Sequence, residues 1–286
     1  MLYRDFATTD DLDAEYNLGA RVPESVQIAG RWAHESAQAR ESLDCALGVR
    51  FGPTVEEYFD IFPAKGDDNA PVHLFIHGGY WRRFGARDFS FIAPQLVEAG
   101  VTVAISNYAL CPKVSVGEIV RQSRAALACL HDHIADYGGD PTRITVSGHS
   151  AGGHLTAMMM ATDWTGDYGR PSDLIKGACP ISGVFDLEPI PYTFLQPSVQ
   201  VTWEEVRRLS PIHLIPEDAP QITVAVGGAE TNEFVRQSRT FHEAWCTRGL
   251  NADFLEIEAK NHFDILDGFQ DPDSALFHTI LGLANR

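Results

Sequence analysis

Apolar residues recur along this chain in short continuous blocks: Val72–Ile76, Val101–Ser106, Ile144–Ser147, Ala178–Ser182, Ile222–Val226 and Phe254–Ile257. Most are rich in β-branched residues and do not alternate with polar ones, the pattern of strands covered on both faces. Thr54–Phe62 alternates enough to add a strand near the start. Between the blocks the period changes to that of helices. Phe89 to Ala99 ends at Gly100, a C-terminal cap. Gly117 to Tyr137 carries Ile119, Val120, Ala126, Leu127, Leu130 and Ile134 at helical spacing and stops at Gly138-Gly139-Asp140-Pro141. Ala151–Met160, Glu233–Arg248 and Ser274–Asn285 read as further helices, and residues 10 to 46 as mostly helical, polar and charged within an N-terminal extension of residues 1–50. Strand alternating with helix predicts a mostly parallel α/β sheet with helices on both faces. The rhythm breaks between Asp186 and His213, where Pro189, Pro191, Tyr192, Phe194, Pro197 and Trp203 cluster. That stretch reads as a small cap-like insertion within a single domain spanning 1–286.

Composition narrows the partners. The 286 residues are 44% hydrophobic and 21% charged, with a formal net charge of −17. An acidic surface repels phosphate backbones and anionic lipid, so neither nucleic acid nor membrane is an expected partner. A small-molecule substrate is expected, and a homodimer is compatible with such a fold. Residues 1 to 16 carry several acids and no apolar core segment, unlike a secretory signal. Cys45, Cys111, Cys129, Cys179 and Cys246 are odd in number and scattered, which argues against a disulfide framework or zinc site and for the cytoplasm. No HExxH occurs, and His149 and His154 lack an acidic partner at ligand spacing, so no metal is expected.

The chemistry concentrates at Gly148-His149-Ser150-Ala151-Gly152, between a predicted strand and a predicted helix. A G-x-S-x-G pentapeptide alone occurs by chance in roughly one chain of this length in ten. Its context gives it weight: a strand-to-helix turn forces its central residue into a strained conformation and needs glycine on either side. Ser150 is therefore the candidate nucleophile. A serine hydroxyl needs a base, and the base an orienting acid. His262 is the candidate base, just past the last predicted strand, with His213 a weaker rival. His131, His133, His242 and His278 fall on predicted helices, and His149 and His154 are expected to point away. Glu230, after Ile222–Val226 and the turn Gly227-Gly228, is the candidate acid, ahead of Asp186, Glu233 and Asp264. The chain order Ser150, Glu230, His262 is that of α/β-hydrolases. Oxyanion donors are expected from Ala151 N–H and from the glycine pair Gly78 and Gly79, where His73 to Trp81 reads H-L-F-I-H-G-G-Y-W. His77 is expected to brace that loop through its ring.

Taken together, His77-Gly78-Gly79, Asn107-Tyr108-Ala109-Leu110-Cys111-Pro112, Gly138-Gly139-Asp140-Pro141 and the pentapeptide resemble the hormone-sensitive-lipase-like branch of α/β-hydrolases. His77-Gly78-Gly79-Tyr80-Trp81 resembles the kynurenine formamidase (arylformamidase) group within it, as do Ser182–Pro189, Leu209-Ser210-Pro211 and Glu233–Ser238. The resemblance covers roughly residues 50 to 285. It implies the α/β-hydrolase fold and hydrolysis of an N-formyl aryl amide or small carboxylic ester, with no metal and no cofactor. It places the triad acid at Glu230, where the group usually carries Asp, and it implies an aromatic pocket built from Tyr80, Trp81 and Phe185. A non-catalytic binder on the same fold is the alternative from another class.

Overall fold

The computed structural model of the protein describes residues 1–66 and 69–286. Eight strands form one sheet: β1 (Ala46–Arg50), β2 (Tyr58–Phe62), β3 (Ala70–Ile76), β4 (Thr102–Ser106), β5 (Gly139–His149), β6 (Ile175–Ile181), β7 (Ile222–Gly227) and β8 (Ala252–Ile257). Their spatial order is β1-β2-β4-β3-β5-β6-β7-β8. Pairing is antiparallel for β1 with β2 and β2 with β4, and parallel from there to β8. The six apolar blocks of the sequence are thus the parallel strands, and all seven residues of β3 are buried. The pattern does not anticipate β1, whose half-exposed residues show no apolar run. It also begins β2 four residues early, because residues 54–57 turn before the strand starts.

The helices are α1 (Thr9–Tyr16), α2 (Leu18–Arg21), α3 (Ser25–Ser42), α4 (Ala93–Glu98), α5 (Val116–His133), α6 (Ala151–Met160), α7 (Trp164–Tyr168), α8 (Gln196–Val199), α9 (Trp203–Leu209), α10 (Asn232–Thr247) and α11 (Ala275–Ala284). The predicted helix from Phe89 to Ala99 is instead a short 3-10 turn, Ser90–Ile92, followed by α4. Two apolar clusters cover the two faces of the sheet. Leu127, Leu155 and Phe241 bring α5, α6 and α10 onto one, and Trp32, Leu96 and Ile280 bring α3, α4 and α11 onto the other. Successive residues of β3 feed opposite clusters, Leu74 one and Phe75 the other, as the pleat dictates. Among the described residues no helix is long and apolar enough to cross a membrane.

Backbone proximity sets the middle of the molecule. A Cβ on Gly152 would lie 2.0 Å from Ile76 O, and one on Gly148 would lie 2.3 Å from Gly152 O. The first turn of α6 therefore rests directly on the end of β3. Gly282, exposed on α11, meets nothing within 4 Å. Gly152→Ala should lower stability by about 3 kcal/mol or more through this clash, whereas Gly282→Ala should raise it by about 0.5–1 kcal/mol through helix propensity. Thermal unfolding of the two variants checks the contrast, and equal melting temperatures would contradict it.

Candidate active site

Ser150 sits between β5 and α6 with φ 58° and ψ −116°, a conformation costly for a residue with a side chain. Its N–H donates to Ile181 O at 2.8 Å, and its carbonyl accepts the first helical bond, from His154 N at 3.0 Å. Ala151 and Gly152 thus begin α6, and their N–H groups have no acceptor within the helix. Gly78 lies against this turn, since a Cβ there would be 3.1 Å from Ser150 Cβ and 2.7 Å from His149 O.

The orientation of the 77–79 backbone follows from what pins its carbonyls. Tyr108 donates from its hydroxyl to His77 O at 2.9 Å and to Gly78 O at 3.3 Å. His77 Nδ1 lies 2.8 Å from Gly78 O, which makes Nδ1–H the donor, and the ring stacks on Tyr108 at 4.0 Å between centroids. His77 braces the loop as its sequence position suggests. Because a trans peptide sets N–H opposite C=O, two pinned carbonyls turn the N–H groups of Gly78 and Gly79 to the other side. Gly79, at φ +106°, lines the cavity beside Ser150. Tyr80, Trp81 and Phe84 follow with φ of 51°, 56° and 68°, so the loop holds its shape against local preference.

His262 follows β8, and its Nδ1 lies 2.6 Å from Glu230 Oε2. Both side chains are enclosed, with 4% and 0% exposure. The other carboxylate oxygen, Oε1, accepts from Ser182 Oγ at 2.5 Å and Gly227 N at 2.8 Å. Three donors thus hold the extra methylene of glutamate in one place. The other acids are engaged elsewhere. Asp186 accepts from the Tyr3 hydroxyl and from Glu188 N. Glu233 pairs with Arg236 at 2.6 Å. Asp264 accepts from Asn261 N. His213 is exposed.

His149 does not point away from this centre. Its Nε2 lies 2.7 Å from His262 O, and its ring is 4.6 Å from the His262 ring. Adjacency to Ser150 in the chain does not reveal this contact, because it says nothing about which residues the loop after β8 brings alongside. His154 does point away: Trp81 Nε1–H donates to its Nδ1 at 3.3 Å, and its Nε2–H donates to Leu209 O at 2.7 Å.

Ser150, His149, His262 and Gly79 line one cavity of about 290 Å³. Tyr80 lines it too, with Arg82, Arg83, Phe84, Phe89 and Phe194. Trp81 and Phe185 do not. Trp81 is 0% exposed, its indole engaged by His154, and Phe185 stacks on Phe241 at 4.2 Å in the core. The structure corrects both, since the strained loop turns Trp81 inward and α10 covers Phe185. In their place the N-terminal extension supplies Tyr16, Leu18, Val26 and Trp32 to the cavity wall. A polar clamp holds it there. Tyr16 donates to Glu233 Oε2 at 3.2 Å, Thr231 to Glu15 O at 2.9 Å, and Glu233 N to Glu15 Oε2 at 2.9 Å. Tyr80 donates from its hydroxyl to Tyr16 O at 2.8 Å. Among the described residues no group of histidine, cysteine and acidic side chains is placed to hold a metal.

The model of the BD-FAE family matches residues 59–245. A kynurenine formamidase of Salmo salar is 30% identical, over 87% of this chain and 85% of its own. One of Danio rerio is 29% identical over 97% of each. A provisionally assigned thioesterase of Silicibacter sp. has a solved structure with a TM-score of 0.84 and 29% identity, covering 96% of this chain and 99% of its own.

The enclosed histidines give the molecule an acid limb. Burial lowers the pKa of His73 to about 3 and those of His77 and His154 to about 4, and lowers that of His149 well below the usual value. An unfolded imidazole titrates near 6.5. Below that pH the unfolded chain binds protons that the folded chain refuses. The stability is therefore complete above about pH 6.5 and falls as pH drops towards 4, by on the order of 3 kcal/mol for a single such group. Melting temperatures measured between pH 8 and pH 4.5 should be level at first and then decline; a flat profile to pH 5 would contradict this.

Proposed function

We propose a reaction for a chain that belongs to the BD-FAE family and is a hydrolase of the α/β-hydrolase fold: cleavage of a small N-formyl aryl amide or carboxylic ester through an acyl-enzyme on Ser150. One observation carries it. Ser150, on a strained strand-to-helix turn, shares a cavity with His262, whose far ring nitrogen is fixed by the buried Glu230. The names of the relatives, formamidases among them, give the direction of the substrate class.

With Nδ1–H donated to Glu230, His262 keeps its Nε2 lone pair for a proton. Ser150 Oγ attacks the carbonyl carbon while Nε2 takes the hydroxyl proton. Glu230 stays ionised and stabilises the imidazolium. Negative charge collects on the carbonyl oxygen, where the N–H groups of Gly78, Gly79 and Ala151 receive it, each worth ~3–4 kcal/mol. The tetrahedral adduct collapses, the C–N or C–O bond breaks, and His262 Nε2–H protonates the departing amine or alcohol. Water then repeats the sequence on the acyl-serine, and formate or another small acid leaves. The modest cavity suits a formyl or short acyl group with one aromatic ring.

Ser150→Ala should abolish turnover without loss of fold, and a phosphonylating reagent should label the wild type at Ser150 alone; a protein that takes no label is a binder. Glu230→Gln should reduce kcat by about 10³–10⁴-fold, as loss of the orienting carboxylate does elsewhere, and Asp186→Asn by far less. The reverse ranking would move the acid. Comparing kcat/KM on N-formylkynurenine and p-nitrophenyl acetate separates formamidase from esterase, and a clear preference for the acetate would favour the esterase reading.

A further inference from the structure

The cavity wall holds an imbalance that hydrolysis itself does not use. The chain has a net charge of −17, yet the cavity is lined by two arginines, Arg82 and Arg83, and by no Asp or Glu among the described residues. The one carboxylate of the machinery, Glu230, is fully enclosed and occupied by His262, Ser182 and Gly227.

Arg82 is the more built-in of the two. Its Nη1 donates to Ser198 Oγ at 3.1 Å, and its guanidinium lies 5.6 Å from the centre of the Phe194 ring. Its Nε is buried with no partner among the described residues. Burial first, and then the neighbouring Arg83, lower its pKa, with Tyr80 opposing them. A guanidinium placed beside another, half out of water and without a counter-ion, is electrostatically unfavourable in the empty molecule. A neutral hydroxyl and an aromatic face fix its position but leave its charge unmatched. An anion in the cavity would relieve both repulsion and desolvation, with the short distances of a charge-assisted hydrogen bond.

We propose that Arg82, assisted by Arg83, is a specificity-determining site that reads a carboxylate on the substrate, so that the preferred substrate is an aryl amide or ester carrying an acid group remote from the scissile bond. This rests on the hydrolase reading above for its use, though not for its binding chemistry. A cationic substrate finds no counter-charge on the same wall. The carboxylate would anchor the far end of the substrate while Ser150 meets the carbonyl.

The test uses binding, so that it is separate from turnover. Ser150→Ala protein is titrated calorimetrically with benzoate and with benzamide, its neutral counterpart in shape. Benzoate should bind about tenfold or more tightly than benzamide, the effect of one charge-assisted hydrogen bond. Adding Arg82→Met should erase that difference, while adding Ser198→Ala, which removes the positioning hydrogen bond and leaves the charge, should keep most of it. Equal affinities, or a preference that survives Arg82→Met in a folded protein, would overturn the proposal. Should Arg82→Met fail to fold, raising NaCl from roughly 50 to 500 mM must weaken benzoate selectively; an unchanged ratio would likewise overturn it. Turnover of neutral formanilide and phenyl acetate, and of N-formylkynurenine, which carries a carboxylate, by the wild type is measured alongside. Its absence would refute the hydrolytic reading and leave the carboxylate site standing.

Discussion

The site depends on a contact between backbones. The first turn of α6 lies so close to the end of β3 that no side chain fits at Gly152, and Gly78 is pressed against the serine turn in the same way. That contact accomplishes two things at once. It holds Ser150 in a conformation it would not adopt alone, and it brings the backbone at Gly78 against the serine turn. Glycine at 148, 152 and 78 is thus a requirement of distance, and the geometry of the site is a consequence of how the central strands and one helix pack.

Much of this was legible in the sequence, for reasons that differ by element. The parallel strands are buried on both faces, so their apolar runs are continuous and easily read. The pentapeptide was legible because its glycines answer a local steric demand. Ser150, Glu230 and His262 were reachable by position in the strand order. The cavity wall was not. Trp81 and Phe185 have the composition of a binding pocket, yet whether an aromatic faces a cavity or the core depends on a φ angle or on a helix that arrives much later in the chain. β1 escaped because an edge strand with one solvent face needs no apolar run.

The least legible part is the N-terminal extension. Its polar sequence reads as a peripheral helix, but the acids and hydroxyls that make it look peripheral are what fasten it. Glu15 accepts from an N–H in the first turn of α10, and Tyr16 shares Glu233 and Gln237 with the same helix. Tyr80 then ties the extension to the strained loop through Tyr16 O. One polar network therefore joins the segment that walls the cavity to the loop beside the serine.

An acidic protein can still keep a basic cavity. Coulombic influence between exposed charges fades within about 8 Å at physiological salt, so the overall charge of −17 governs the outer surface and the approach of solutes. Inside the wall, local groups decide. Of the extension's carboxylates, Glu15 accepts from the α10 terminus and Asp13 from Phe194 N at 2.7 Å, and no Asp or Glu lines the cavity among the described residues. Long-range repulsion would slow the arrival of an anion, while the local field would hold one that had entered. For an enzyme of this arrangement, selectivity for acids would appear in retention of the bound substrate more than in its rate of encounter.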